Sequence, residues 1–127
     1  MPAAESFSYA VLRVVPQVER GERINVGVVL YCRRRQFLGV RIALDEAKLA
    51  ALSPGCDPTA LRATLASFEA VAAGGEAAGP LGRLDDSDRF GWLTAPSSTI
   101  VQPSPVHTGL TEDPAAELER LFEQLVA

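Results

Sequence analysis

The sequence predicts an α+β domain: a three- to four-stranded, mainly antiparallel sheet with helices packed on it. Three observations predict it. Residues 7–44 hold three runs rich in Val, Ile, Leu and aromatic residues, joined by short turn-like links. From Asp45 onward, apolar residues recur at helical spacing behind Asp and Asp-Pro start signals. Residues 98–106 read as extended but carry Pro103 and Pro105, which suits an edge strand or loop and not a central strand.

The first strand covers residues 7–15. Phe7, Tyr9, Val11, Arg13 and Val15 share one face, while Ala10, Leu12 and Val14 share the other. Both faces are largely apolar, as in a strand covered on both sides. Arg13 is the exception and needs a partner or a snorkelling route; Glu19 and Glu22 in the following turn are the expected partners. Pro16 ends the strand, and Gly21 supplies the flexible position of the turn. Residues 24–32 form the second strand. Asn25 and Gly27 fall on one face of it, a pairing that marks a bulge or a close backbone approach. Arg33-Arg34-Arg35 makes the next turn, and residues 36–44 form a third strand with Leu38, Val40, Ile42 and Leu44 on one face. Links this short imply an antiparallel meander.

Helices follow. Asp45 can cap a short one through Leu52. Asp57-Pro58 places Asp at the N-cap and Pro at the first helical position. Leu61, Leu65, Phe68 and Ala72 then repeat at helical spacing until Gly74-Gly75 stops the run. Residues 74–84 are rich in Gly and Ala and read as a mobile connection. Asp85, Asp86 and Asp88 open a helical turn carrying Phe90, Trp92 and Leu93. Asp113-Pro114 repeats the start signal before a last helix striped by Leu118, Leu121, Phe122, Leu125 and Val126.

A chain of 127 residues, 47% apolar, is large enough to bury a core, and no linker divides it. Residues 1–127 are therefore expected to form a single domain. Cys32 and Cys56 lie far apart with no His or Cys at metal-like spacing, which points to a reducing interior. Residues 1–10 lack the basic and apolar regions of a signal peptide, and no apolar run is long enough to span a bilayer. A cytoplasmic location without membrane attachment is the expectation. A formal net charge of −4 works against nucleic-acid binding, whose proteins usually present a basic surface.

The densest polar cluster is residues 97–107, with Ser97, Ser98, Thr99, Gln102, Ser104 and the only histidine, His107. The prolines hold its backbone stiff. In a straight strand Gln102 and Ser104 point one way while Thr99 and His107 point the other, so the segment cannot act as one array unless it bends. Its hydroxyls can instead satisfy local backbone groups. His107 has the chemistry of an acid/base group near neutral pH, with Ser104 close by, but no nucleophile elbow or triad signature is present. Asp85, Asp86 and Asp88 could hold a hard cation, yet they read more simply as helix-start acids. No cofactor and no metal site are expected. Arg33, Arg34 and Arg35, flanked by Tyr31 and Phe37, could touch phosphates or merely solvate a turn. Arg13 and Asn25 could project toward residues 97–107 and build one pocket.

Three blocks in order carry a family resemblance: Tyr9-Ala10-Val11-Leu12-Arg13-Val14-Val15-Pro16, Asn25-Val26-Gly27-Val28-Val29-Leu30, and Trp92-Leu93-Thr94-Ala95-Pro96 running into residues 98–107. They resemble an uncharacterised bacterial family, the domain of unknown function numbered three thousand and thirty-seven. The likeness runs from Ser6 to the last helix. In that family's pattern an arginine commonly stands where this chain has Ser97, which removes a charge from the cluster. The resemblance implies a small bacterial protein, sometimes encoded beside a HipA-like kinase, and it carries over no catalytic residue.

The sequence thus leads to a non-enzymatic binding or accessory module for a protein partner, a HipA-like kinase being the one the resemblance suggests. The candidate binding residues are Arg13, Asn25, Thr99, Gln102, Ser104 and His107. One alternative is a small hydrolase or group-transfer enzyme using His107 as acid/base. The other is weak nucleic-acid contact through Arg33, Arg34 and Arg35.

Overall fold

The computed structural model describes residues 3–97 and 99–127. Strands β1 (Glu5–Val14), β2 (Ile24–Cys32) and β3 (Phe37–Ile42) make the expected antiparallel meander. Helices α1 (Glu46–Leu52), α2 (Pro58–Ala73) and α3 (Asp86–Leu93) follow. Two short strands, β4 (Val101–Pro103) and β5 (His107–Thr111), precede helix α4 (Pro114–Leu125). The strand order is β3-β2-β1-β4, with β5 also paired to β1.

Alternation along β1 loads both faces of the sheet. Ala10, Leu12 and Val14 face α1, α2 and α3, in a core completed by Val26, Val29, Leu49, Leu61, Leu65, Phe90 and Leu93. Phe7, with Val28, Leu30 and Cys32, faces the opposite way against Leu118, Leu121 and Phe122 of α4. The sheet is thus covered on both sides, but unevenly, because α4 packs on β2 and β3 and leaves much of that face of β1 beyond its reach. The Cys32 thiol is buried in this second core and donates to the Ser6 carbonyl at 3.4 Å.

The helix starts follow the local signals. Asp45, Asp57, Asp85 and Asp113 each accept backbone N–H groups of the first turn they cap. The Gly/Ala-rich stretch expected as a mobile connection instead forms 3-10 turns over Glu76–Arg83, interrupted at Gly79 where φ is +62°. Arg89 closes the end of α2. Its Nη1 donates to the carbonyls of Val71 (2.9 Å) and Ala72 (2.7 Å), its Nε donates to Leu84 (3.1 Å), and its Nη2 pairs with Asp86.

Two bulges shape β1's neighbours. Leu12 faces Gly27 whereas Arg13 faces Asn25, so Val26 is squeezed out of register between them. Gly27 is needed there, since a Cβ would sit 2.9 Å from Ile42 Cγ1. On the other side, Leu12 faces Pro103 and Tyr9 faces His107, so residues 104–106 lie against residues 10–11. The expected edge strand over residues 98–106 is therefore one edge broken by a bulge, and it continues through His107 to Thr111. Ser98 lies outside the described residues.

Candidate functional site

The bulge is built around Ser104. Its N–H donates to the Val11 carbonyl at 2.7 Å, as a ladder residue should. The return bond is different: the Val11 N–H donates to Ser104 Oγ at 2.8 Å, where a regular strand would offer a carbonyl. The hydroxyl then donates to the Pro105 carbonyl at 2.9 Å. Ser104 is only 3% exposed, so its oxygen is committed to the backbone and shielded from solvent. The prolines fit because the pairing of Val11 with Ser104 and of Arg13 with Gln102 turns the Pro103 nitrogen outward.

The bulge also supplies the bend that a flat array requires. Gln102 lies beside Arg13 and His107 beside Tyr9, so both fall on the α4 face of the sheet. They do not converge. Asn25, Arg13 and Gln102 form one row across three strands, whereas His107 pairs four residues further along β1. His107 is exposed, its ring tilted against Tyr9 at 5.4 Å between centroids. In the row, Asn25 Nδ2 donates to the Leu125 carbonyl at the end of α4 (3.0 Å), and Gln102 Nε2 donates to the Thr99 carbonyl (2.9 Å). Arg13 does not pair with Glu19 or Glu22. Glu22 is taken by Arg20, two residues away, at 2.6 Å.

Thr99 belongs to neither group. Its N–H donates to Ser97 Oγ at 3.2 Å, its Oγ1 lies 2.7 Å from the same hydroxyl, and Oγ1 donates to the Val101 carbonyl. It lines a separate groove of about 470 Å³ with Phe68, Trp92, Pro96 and Pro103, on the side of α2 and α3. Trp92 is 41% exposed there and rests on Phe68 at 5.5 Å.

The triple arginine occupies the β2–β3 turn, as expected. Arg35 donates to the Ala3 carbonyl at 2.8 Å, and Arg34 lies 3.9 Å from Glu5. Arg33 shares a cleft with Asp85, Asp86 and Asp88, so acid faces the turn and offsets its charge.

Three features escape sequence reasoning. The first is β5, whose residues show no apolar alternation. Gly109 would weaken such a strand, but Phe7 directly opposite lays its ring where a Gly109 Cβ would stand, 2.8 Å away. The second is the state of the β5 edge. Val11 and Val15 bond toward β4, so Glu5, Phe7 and Tyr9 bond toward His107, Gly109 and Thr111. The backbone groups of Thr108 and Leu110 therefore point outward, and no hydrogen bond among the described residues uses them. Leu110 is 70% exposed and Val106 45%. The third is Arg23, an exposed cation whose charge acts on Arg13.

A family model described as "Protein of unknown function (DUF3037)" matches residues 9–126. Comparison with the curated proteins and with the solved structures gives no match. Among the described residues no helix is long and apolar enough to cross a membrane.

Proposed function

The chain belongs to the family of proteins of unknown function DUF3037, and from that premise we propose that it is a non-enzymatic binding module that takes up an extended segment of a protein partner along β5. The observation that carries this reading is the bare state of that edge. Strand β3, at the other end of the sheet, has α2 and α4 packed against it. The edge at β4 is interrupted by Pro103 and Pro105. Strand β5 has neither cover nor proline, and Leu110 stands exposed on it. Natural proteins usually guard such an edge with charge, proline or a covering element, because it templates strand pairing. An added strand would satisfy the N–H and C=O of Thr108 and Leu110, each bond worth about 0.5–1.5 kcal/mol net. Burying the Leu110 side chain adds about 1.5–3 kcal/mol.

The polar cluster supports a binding role over a chemical one. Ser104 Oγ is spent on Val11 and Pro105, out of reach of a substrate. His107 stacks on Tyr9 with no acid or hydroxyl hydrogen-bonded to it among the described residues. The HipA-like kinase suggested by the family resemblance is the first partner to test.

Thr108→Pro is the discriminating variant. It removes only an outward N–H and leaves the Phe7–Gly109 and Tyr9–His107 bonds to β1 in place. Co-expression with a HipA-like kinase should give a stoichiometric complex on size exclusion, lost with Thr108→Pro and weakened with Leu110→Lys, at unchanged circular dichroism. Wild-type protein that always elutes alone, or a Thr108→Pro variant that binds as well as wild type, overturns the proposal.

A further inference from the structure

Two arginines drawn in from solvent, Arg89 and Arg13, are treated in opposite ways. Arg89 has its guanidinium fully engaged by three carbonyls and a carboxylate. Arg13 lies half-buried on the α4 face of β1, and its Nε is enclosed with no hydrogen-bond partner. No ion pair among the described residues includes Arg13 or Arg23. A buried donor left unmatched is uncommon in native proteins and calls for a ligand, an ion or water.

Geometry brings the second cation beside it. Arg13 stands directly opposite Asn25. Ile24 turns to the other face, where it packs against the core under α1, α2 and α3. Arg23 therefore shares Asn25's face and becomes a diagonal neighbour of Arg13, at the spacing where long side chains meet. The flanking amides do not shield the pair, since Asn25 is tied to the end of α4 and Gln102 to the Thr99 carbonyl. Glu22, next to Arg23 in the chain, is committed to Arg20, and Glu19 of the same turn forms no ion pair with either arginine. Burial, and next the charge of Arg23, hold the Arg13 guanidinium below its ordinary value. Like charges kept this close, without a carboxylate, are costly unless something negative joins them.

We propose that Arg13 and Arg23 form a binding site for an oxyanion, a carboxylate or a phosphate, with the fork of Arg13 at its floor and Arg23 at its rim. A planar guanidinium offers paired N–H groups that match either oxyanion, and the Nη groups of Arg13, beyond its enclosed Nε, are the donors the anion would take. The site uses residues other than β5 and stands without the strand-addition reading.

The test is an NMR titration of the arginine Nε–H resonances with inorganic phosphate and, separately, with acetate, against sodium chloride at equal ionic strength. The Arg13 resonance should move saturably with at least one of the two anions and stay still in chloride. Arg23→Gln, at an exposed position, should weaken that response about tenfold at unchanged circular dichroism, the scale of one lost charge-assisted contact. Arg13→Lys keeps the charge without the fork and should weaken the anion response read at the Arg23 Nε–H resonance. A response to phosphate alone identifies a phosphoryl ligand, and one to acetate identifies a carboxylate; either supports the site. No saturable movement beyond the chloride control overturns it, as does an Arg23→Gln protein that titrates like wild type. Thr108→Pro should leave the titration unchanged, which separates this test from that of the β5 edge.

Discussion

Replacing Arg89 by Met keeps the stem of the side chain and removes its fork. The carbonyls of Val71 and Ala72 belong to the last turn of α2 and have no helical donor, since the Gly75 N–H that would serve Val71 turns to Gly82 instead. Both residues are buried, so water replaces the lost donors poorly. Leaving such groups unmatched costs about 1–3 kcal/mol each, and Asp86 loses its ion-pair partner besides. A buried cation at a helix C-terminus also gains from the helix dipole. Together these give a loss of about 3–5 kcal/mol, within the range for breaking a buried pair. For a chain of this length that is a fall in Tm of about 10–20 °C. Urea unfolding, followed by the fluorescence of Trp92 on the same helix and by circular dichroism, measures it. Arg89→Lys should recover part of the loss, and Asp86→Asn should cost less than Arg89→Met. A midpoint for Arg89→Met within about 1 kcal/mol of wild type, at unchanged m, would refute the reasoning.

Ser104→Ala should cost about 1–3 kcal/mol in the same assay, because the Val11 N–H loses its only acceptor in a buried ladder. Ser104→Thr, which keeps the hydroxyl, should cost less. Gly109→Val should displace the Phe7 ring from above β5 and destabilise by about 1–3 kcal/mol, visible as a shift of the Phe7 resonances. Glu22 is held below the usual carboxylate range by the Arg20 hydrogen bond and then by its charge. Its small contribution is present above the ordinary carboxylate value and fades as pH falls through the lowered one, so Arg20→Gln should return the Glu22 titration, read by NMR, to the ordinary value.

What the sequence discloses divides along the range of the interactions. Helix starts at Asp45, Asp57 and Asp113 were legible because a capping carboxylate meets N–H groups two or three residues away. The two loaded faces of β1 were legible because alternation is local. The fate of Ser104 was not, since its hydroxyl meets a backbone group 93 residues away. Nor was that of Arg13: Glu22 was the natural partner on paper, but Arg20 reaches it first. Of the candidate residues, Arg13, Asn25 and Gln102 share a row that pairing alone could assemble. His107 and Thr99 were grouped with them by proximity in sequence, which a bulge and a turn undo. The open edge at β5 escaped because nothing in Thr108, Gly109 or Leu110 says on which side a neighbour is missing.

The central place of β1 has a consequence for how the chain reaches this state. Glu5 pairs with Thr111 and Tyr9 with His107, so β1 leaves the ribosome well before the strand it pairs with. Until then the nascent meander of β1, β2 and β3 exposes Phe7, Val28 and Leu30, whose cover on α4 is later still. The order of synthesis runs against the order of the sheet. Such long-range closure slows folding and lengthens the time that apolar strands stand open to other chains.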